Sequence, residues 1–281
     1  MAINYFQQSP SLAQRATVIA EILVYPIKSL GGVSLNTTQA PPRGLALDRR
    51  WMVVNAQGAR QSQREHPQMA LAQIALEDAA LQVTAPGMQP LSVPLKSQYS
   101  NRKSVTVGRT TLSAPLVSDV CDAWFTNLLD EPAHLVHMDD ATYRVVNPQF
   151  ALNNDTVSFA DGYPYMLVSE ASLADLNARL PEILPMNRFR PNFVIRGVDA
   201  FAEDSWKELQ IGAARFSIVK PCDRCVLTTI DQTLGERRGP EPLKTLSQYR
   251  RVEQDVLFGQ YMLLTSAAAT VSVGDTVKFD G

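Results

Sequence analysis

Short segments rich in β-branched and aromatic residues recur along most of the chain, and each stops at a cluster of turn-forming residues. This pattern predicts short strands joined by tight connections. Strands at such spacing favour an antiparallel barrel or sandwich over a sheet built from strand–helix–strand units. The predicted strands cover residues 18–27, 50–55, 70–76, 80–85, 91–95, 103–107, 192–196, 214–219, 225–230 and 258–264.

Only two segments show strong helical signals. Residues 119–129 form an amphipathic run with Ser118 or Asp119 as the N-cap, and residues 169–180 place their leucines on one face. The last residues predict two strand pieces around Gly274, as at the closure of a small barrel. We therefore expect a mainly β (α+β) protein with a few helices.

Composition and charge exclude several classes of protein. With 45% hydrophobic and 19% charged residues in 281, the chain is globular, and its net charge of −2 gives no basic field for nucleic acid. Three cysteines cannot form a disulfide scaffold and indicate a reducing compartment. Residues 1–16 lack the apolar core of a secretory signal, and no segment is apolar enough to span a membrane. We expect a cytoplasmic protein without nucleic-acid or membrane partners.

The most distinctive motif is Lys220-Pro221-Cys222-Asp223-Arg224-Cys225, which leads into the strand predicted at 225–230. A thiolate is a soft metal ligand, and the neighbouring lysine and arginine favour the ionised form. Two cysteines at this spacing are weakly specific by themselves. They are also compatible with half of a zinc site, a redox-active dithiol or two buried core residues.

The zinc and dithiol alternatives are the weaker ones. A zinc site needs about four Cys or His ligands. His134 and His137 are the only other paired candidates, and positions three apart on a strand point to opposite faces. Cys121 lies in the predicted helix and is expected in the core. A thioredoxin-like dithiol belongs at a strand-to-helix junction.

Other polar residues cluster at predicted strand ends. Lys28-Ser29 and Arg49-Arg50 provide the lysine, hydroxyl and guanidinium groups that bind phosphate or another oxyanion. Each pair alone could equally be a set of solvated turn charges. The same holds for three residues of turn-rich segments, which could be caps or ordinary loop residues: Asp161, Arg190 and Asn192.

Taken together and in order, the motifs resemble the MOSC family, in the branch that contains the mitochondrial amidoxime reducing component and its bacterial relatives. The resemblance covers almost the whole chain from about residue 17. It implies a MOSC N-terminal β-barrel region at 17–137, then a MOSC β-barrel domain at 138–281. The motifs are PIKS, GLALDRRW, SFADGYPYMLVSEASLADLN, FRPN, EDSW, KPCDRC followed by VLTTID, EPLKTLSQYR and FGQYM.

The resemblance also implies a molybdenum cofactor (molybdopterin with Mo) and a role for each matching residue. Cys225, the second cysteine of the family's CxRC motif, matches the metal ligand, and Cys222 is then only a neighbour. Asp161 matches an acidic residue near the metal, for which we expect a part in proton delivery. Arg50 departs from the related pattern and is assigned no role. The positions matching cofactor-binding residues are Lys28, Ser29, Arg49, Arg190, Asn192, Asp223, Arg224 and Tyr261.

The implied reaction is the reduction of N-hydroxylated compounds, such as amidoximes and hydroxylamines, by electrons from a separate ferredoxin- or flavodoxin-type protein. The chain has too few cysteines for a 2Fe–2S domain and no Gly-rich dinucleotide fingerprint. Two alternatives remain. One is a molybdenum-cofactor or sulfur carrier without turnover, resembling the C-terminal domain of cofactor sulfurases but without their pyridoxal-dependent domain. The other is a β protein stabilised by zinc or a disulfide.

Overall fold

The computed structural model describes residues 16–95 and 101–280, so most of the segment used to predict the absence of a secretory signal lies outside it. The described residues are mainly β, as expected, with three α-helices and four 3-10 turns. The strands are β1 (Val18–Val24), β2 (Val33–Leu35), β3 (Thr37–Ala40), β4 (Trp51–Asn55), β5 (Gln73–Leu76), β6 (Ala80–Thr84), β7 (Leu91–Pro94), β8 (Arg102–Val107), β9 (Thr110–Pro115), β10 (Ala133–His137), β11 (Tyr165–Ser169), β12 (Phe193–Arg196), β13 (Glu208–Ile211), β14 (Ala214–Asp223), β15 (Ile230–Asp231), β16 (Glu236–Arg237), β17 (Arg251–Val252), β18 (Asp255–Leu264), β19 (Ala269–Ser272) and β20 (Val277–Phe279). The helices are α1 (Asp119–Leu129), α2 (Glu170–Asn177) and α3 (Leu243–Tyr249), and the 3-10 turns are Pro67–Leu71, Met186–Arg188, Ala202–Asp204 and Val226–Thr229.

The largest sheet has the strand order β2-β1-β12-β11-β18-β14-β13-β20, with β17 attached to β18. One face of this sheet packs a core around Ile22, Leu167, Phe193, Phe216 and Met262, and the central strand β11 is buried on both faces. Burying an aliphatic or aromatic side chain of this size stabilises a fold by about 1.5–3 kcal/mol. This core fixes the ends of the strands that carry the polar motifs.

One strand pair departs from the antiparallel architecture that the sequence predicts. β11 and β12 are parallel, and the connection between them contains α2. A parallel pair needs a long crossover, which the helix supplies. The sheet therefore contains one strand–helix–strand unit that the sequence did not predict, while the other strand pairs described in it are antiparallel.

The strands of the first half are divided between two assemblies. β4–β10, β5–β6–β7 and β8–β9 form small sheets. α1 packs with the first two in a separate apolar core, and β8–β9 packs against other residues of β4 and β10 in another. By contrast, β1 and β2 belong to the large sheet, and β3 pairs with β19. The N-terminal strands thus complete a sheet that is built mostly from the second half. The predicted boundary between residues 137 and 138 falls just after β10 and stays a prediction.

Two predicted strands begin differently from the expectation. Residues 70–76 start within the 3-10 turn Pro67–Leu71 before β5 begins, and residues 225–230 are mostly the 3-10 turn Val226–Thr229. In the second case the threonine hydroxyls bond locally: Thr228 Oγ1 donates to the Cys225 carbonyl at 3.0 Å and Thr229 Oγ1 to the Val226 carbonyl at 2.8 Å. Cys225 therefore precedes a tight turn and does not open a strand.

The helix predictions are confirmed. α1 has the predicted bounds, and Ser118 caps it by accepting from the Cys121 amide at 3.2 Å. α2 begins after its cap Ser169 and ends at Asn177, three residues before the predicted end. In the described part of the chain, no helix combines the length and apolar character needed to cross a membrane. The two strands around Gly274 exist, but each pairs with a different neighbour, β3 or β13.

Gly259 gives a test of the packing between β18 and β11. Its φ is +83°, and an added Cβ would lie 2.7 Å from the Leu167 carbonyl oxygen. Gly274 has a similar φ of +89°, but open space around it. We expect Gly274→Ala to lower the free energy of unfolding by about 1–2 kcal/mol from backbone strain alone. Gly259→Ala should lose about 1–3 kcal/mol more through overpacking. Equal losses in chemical denaturation would show that this contact is not tight.

Candidate functional site

All ten residues selected from the sequence line one cavity of about 160 Å³. They reach it from six segments: the loop after β1, the residues before β4, β11 and β12, the end of β14, and the middle of β18. Strands distant in sequence are joined here because β1 pairs with β12 and β18 lies between β11 and β14. The ten residues are Lys28, Ser29, Arg49, Asp161, Arg190, Asn192, Asp223, Arg224, Cys225 and Tyr261.

The backbone is strained at three of these residues. Ser29, Arg49 and Arg190 have φ values of 70°, 49° and 55°, in the left-handed region that non-glycine residues seldom adopt. Such conformations cost about 1–3 kcal/mol each and persist only where the surrounding structure imposes them, often at functional sites. Here the strain turns a hydroxyl and two guanidinium side chains towards the same cavity.

Arg49 and Arg190 are held against one buried tyrosine. Their guanidinium carbons lie 4.4 and 4.1 Å from the centroid of the Tyr25 ring. Asp48 is buried and binds both Arg49 Nη1, at 2.7 Å, and the Tyr25 amide, at 2.8 Å. Arg49 Nη2 also donates to the Arg190 carbonyl at 3.1 Å. Tyr25 and Asp48 thus orient a pair of cations that would otherwise repel each other.

Arg190 is the member of this pair that lacks a full set of partners. Its Nη2 is buried without a hydrogen-bond acceptor among the described residues. Burial lowers the pKa of Arg190 to about 10, although Tyr25 acts in the opposite direction. A buried donor without an acceptor is costly. An anionic oxygen bound in the cavity would remove that cost.

Lys28 and Asp161 form the third charged group of the cavity. Lys28 Nζ lies 2.5 Å from Asp161 Oδ1, with the lysine buried and the carboxylate open to the cavity. Burial lowers the pKa of Lys28 to about 8, and Asp161 partly opposes this shift. Lys28 in turn holds the pKa of Asp161 well below its usual range, despite the opposing effect of burial. At neutral pH the proton is therefore carried by Lys28 and Asp161 is an acceptor.

The two cysteines of the motif have different surroundings. Cys222 is 1% exposed and packs in the apolar core with Phe258 and Met166. Burial raises the pKa of its thiol. Cys225 is only partly buried, and its Sγ accepts hydrogen bonds from Arg64 Nε at 3.3 Å and Nη2 at 3.1 Å. Cys225 is therefore the cysteine that a bound ligand can reach.

Arg64 is a site residue that the sequence analysis missed. Burial lowers its pKa, but Cys225, Asp161 and Glu65 together more than offset this, so the pKa is raised above its usual value. Its loop is fixed by Gln63, which is fully buried, donates to the Ser29 carbonyl at 2.8 Å and exchanges amide hydrogen bonds with Gln232. The sequence signal was only a polar run between two strands, which is typical of any surface loop.

The remaining predicted residues are already engaged with the protein. The side-chain amide of Asn192 accepts a hydrogen bond from the Met166 backbone N–H at its Oδ1 and donates one from its Nδ2 to the Leu23 carbonyl, each at 3.2 Å. The Arg224 guanidinium donates to two backbone carbonyls, and Asp223 lies 2.6 Å from Lys220. Tyr261 stacks on Tyr163 with ring centroids 4.6 Å apart. These side chains form the walls of the cavity, but most of their polar atoms are already bonded to the protein.

The histidines are occupied elsewhere. His134 Nδ1 lies 2.5 Å from a carboxylate oxygen of Asp122, and the His137 ring stacks on Trp51 at 4.7 Å. Within residues 16–95 and 101–280, no group of three or more Cys, His, Asp or Glu side chains could hold a metal ion. Any metal in the cavity would therefore need a bound cofactor to supply most of its ligands.

Comparison with known proteins agrees with this architecture. The model of the MOSC N-terminal beta barrel domain matches residues 16–132, and that of the MOSC domain matches residues 154–278. Mitochondrial amidoxime reducing component 2 of Rattus norvegicus is 36% identical over 94% of this chain and 83% of its own length. Mitochondrial amidoxime-reducing component 1 of Homo sapiens is 33% identical over 96% and 85%. The crystal structure of the YuaD protein from Bacillus subtilis is a remote likeness, covering 94% and 95% at 11% identity with a TM-score of 0.42. The chain therefore belongs to the MOSC-domain family that includes the mitochondrial amidoxime reducing components.

Proposed function

We propose that this protein binds a molybdenum cofactor in the cavity and reduces N-hydroxylated compounds, such as amidoximes and hydroxylamines, with electrons from a separate redox protein. The relatives above are named for the reduction of amidoximes. The observation that carries the proposal is the cavity itself, in which an accessible thiol and a set of buried cations face the same space. We also propose the cytoplasm as its location.

The donor groups are those that such a cofactor requires. Cys225 offers a single soft sulfur, which suits a metal whose other ligands come from the pterin. Lys28 and Arg190 offer buried positive charge and Arg49 a half-buried one, and Arg190 has a donor without an acceptor among the described residues. Guanidinium groups bind phosphate through paired, charge-assisted hydrogen bonds. A phosphate-bearing anionic cofactor would satisfy the cations while its metal meets the thiolate.

When bound, the cofactor would supply the two-electron chemistry of breaking the N–O bond. The protein would orient the reactants and move protons. Arg64 holds the Cys225 sulfur through two donors, which fixes its direction. The stacked rings of Tyr163 and Tyr261 form an aromatic wall that excludes water.

The Lys28–Asp161 pair is the proton source that the geometry supports. Reduction of an N-hydroxylated compound to its nitrogen base and water consumes two electrons and two protons. Lys28, with a pKa of about 8, is protonated at neutral pH and can release its proton to an acceptor in the cavity. The Asp161 carboxylate, at 2.5 Å, would keep Lys28 protonated and orient its ammonium group in the cavity. Asp161 would then take part in proton delivery through the lysine.

A reconstitution experiment separates this proposal from its alternatives. Protein loaded with molybdenum and pterin should convert benzamidoxime to benzamidine with reduced methyl viologen. With NADH or NADPH alone it should not turn over, because no nucleotide-binding fingerprint is present in the sequence. Molybdenum without turnover would favour a carrier, and zinc without molybdenum would favour a structural site. Sustained turnover with a nicotinamide alone would contradict the need for a separate redox protein.

The two cysteines should respond oppositely to substitution. Cys225→Ala removes the accessible sulfur, so we expect activity to be lost. Cys222→Ala removes a core side chain, so it should keep bound molybdenum and lose about 1–3 kcal/mol of stability at most. Bound molybdenum is measured by metal analysis, turnover by the activity assay, and stability by thermal unfolding. Loss of molybdenum with Cys222→Ala but not with Cys225→Ala would reverse the assignment.

The buried arginines should control cofactor retention. Charge-assisted hydrogen bonds contribute about 1.5–3 kcal/mol each, so Arg49→Ala or Arg190→Ala should lower pterin occupancy by roughly ten-fold or more. The measurement is pterin content after loading at limiting cofactor. Arg196→Ala is the matched control, at the exposed last position of β12, the strand that follows Arg190, and it should keep wild-type occupancy. Unchanged occupancy in both cavity variants would mean that these arginines do not hold the cofactor.

A further inference from the structure

A second depression lies on the other side of the segment that carries Cys225. Its apolar floor includes Val226, Leu243 and Val256. Besides Arg224, three basic residues line it, and together these four outnumber its two carboxylates, Asp223 and Asp255. We call this depression the basic groove, and its volume is about 690 Å³. The three basic residues are Arg237, Lys244 and Arg251.

The three basic side chains are exposed and unpartnered. None of them forms an ion pair or a side-chain hydrogen bond with any residue in 16–95 or 101–280. Other surface cations in the same region are paired, as Lys220 is with Asp223. The groove is therefore locally positive in a chain whose net charge is −2.

The groove and the cavity meet at the segment that carries Cys225. They share only Asp223 and Arg224 among their lining residues. The 3-10 turn that follows Cys225 is divided between them: Val226 and Thr229 line the groove, whereas Leu227 and Thr228 line the cavity. A molecule seated in the groove would touch both sequence neighbours of Cys225 without entering the cavity.

We infer that the basic groove is the docking surface for a small acidic electron-carrier protein of the ferredoxin or flavodoxin type. This inference rests on the proposed function, which needs electrons from outside the chain. A small apolar floor with a charged rim suits a transient encounter, and complementary charge speeds association. Each turnover would oxidise two one-electron carriers in succession and consume two protons at the substrate.

Two other occupants suit the groove less well. The products of the proposed reaction are amidines and amines, which are cationic at neutral pH and would be repelled by the rim. A second copy of this chain would bring the same three cations face to face across a two-fold axis, since such an interface pairs a patch with itself. An acidic partner would be attracted to the three cations, whereas a cationic product or a second copy would be repelled by them.

The test is a charge reversal of the rim, Arg237→Glu/Lys244→Glu/Arg251→Glu, in molybdenum-loaded protein. The matched control is Arg109→Glu/Arg215→Glu/Lys278→Glu, which makes the same change in net charge at exposed positions on a hairpin and two other strands. Each variant is assayed with reduced methyl viologen and, separately, with an acidic plant-type 2Fe–2S ferredoxin kept reduced by NADPH and its reductase. Binding of the same ferredoxin is measured directly as a function of ionic strength.

We expect the rim variant to keep its methyl viologen activity while its KM for ferredoxin rises about ten-fold or more and its binding loses most of its dependence on salt. The control should match the wild type in every assay. At low ionic strength, ferredoxin binding and KM within about two-fold of wild type in the rim variant would overturn the docking surface. Equal binding of ferredoxin and of an RNA oligomer would also overturn it, because the groove would then select only for negative charge.

The two proposals fail in different ways. If loaded wild-type protein does not turn over even with methyl viologen, the proposed function fails, while the binding titration still decides the docking surface. If methyl viologen supports turnover and the rim variant behaves as the control does with ferredoxin, only the docking surface fails.

Discussion

Lys28 and Arg190 are buried and Arg49 is half-buried around one cavity, and the local structure compensates for the loss of water around these three charges. Removing a cation from water costs several kcal/mol unless partners replace its hydration. Asp161 replaces the lost water for Lys28, with 2.5 Å between Oδ1 and Nζ. Asp48 does so for Arg49, with 2.7 Å between Oδ2 and Nη1. Arg190 has only the ring of Tyr25 nearby and a buried nitrogen without an acceptor. The incomplete compensation is what makes the cavity a site for an anion.

The backbone around the cavity explains how these charges are kept in place. The Leu23 amide donates to the Asn192 carbonyl at 2.9 Å, which joins the end of β1 to the start of β12. The Arg49 amide donates to the Tyr25 carbonyl, also at 2.9 Å. The left-handed turns at Arg49 and Arg190 are thus imposed by a paired sheet, and the strain is sustained by the core beneath it.

From the sequence, an element or a site could be predicted where residue chemistry and local spacing indicate the same structure. The helix at Asp119–Leu129 was predicted to the residue because an apolar periodicity and a capping serine coincide. The polar motifs at strand ends were weak signals one by one, and the resemblance of the ordered set to the MOSC family is what selected the site residues. All ten of these residues line the same cavity. Their individual roles still depend on the bound cofactor.

What the sequence did not show depends on long-range contacts. Arg64 reaches Cys225 across 161 residues of sequence, from a loop whose polar composition is ordinary. Tyr25 looks like any aromatic residue at the end of a strand, and only the fold places two guanidinium groups over its ring. The parallel pairing of β11 with β12 is likewise a matter of topology, since the composition of a strand does not state its direction.

The turn after Cys225 has the largest consequence among the differences from expectation. A strand at 225–230 would have continued the direction of β14 and turned alternate residues to the two faces of a sheet. The 3-10 turn Val226–Thr229 instead forms a short wall between the cavity and the basic groove, with two residues lining each. Under the proposed function, substrate and electrons would approach Cys225 from different sides. Because the wall is only one turn thick, an electron carrier in the groove would lie close to Cys225 without entering the cavity.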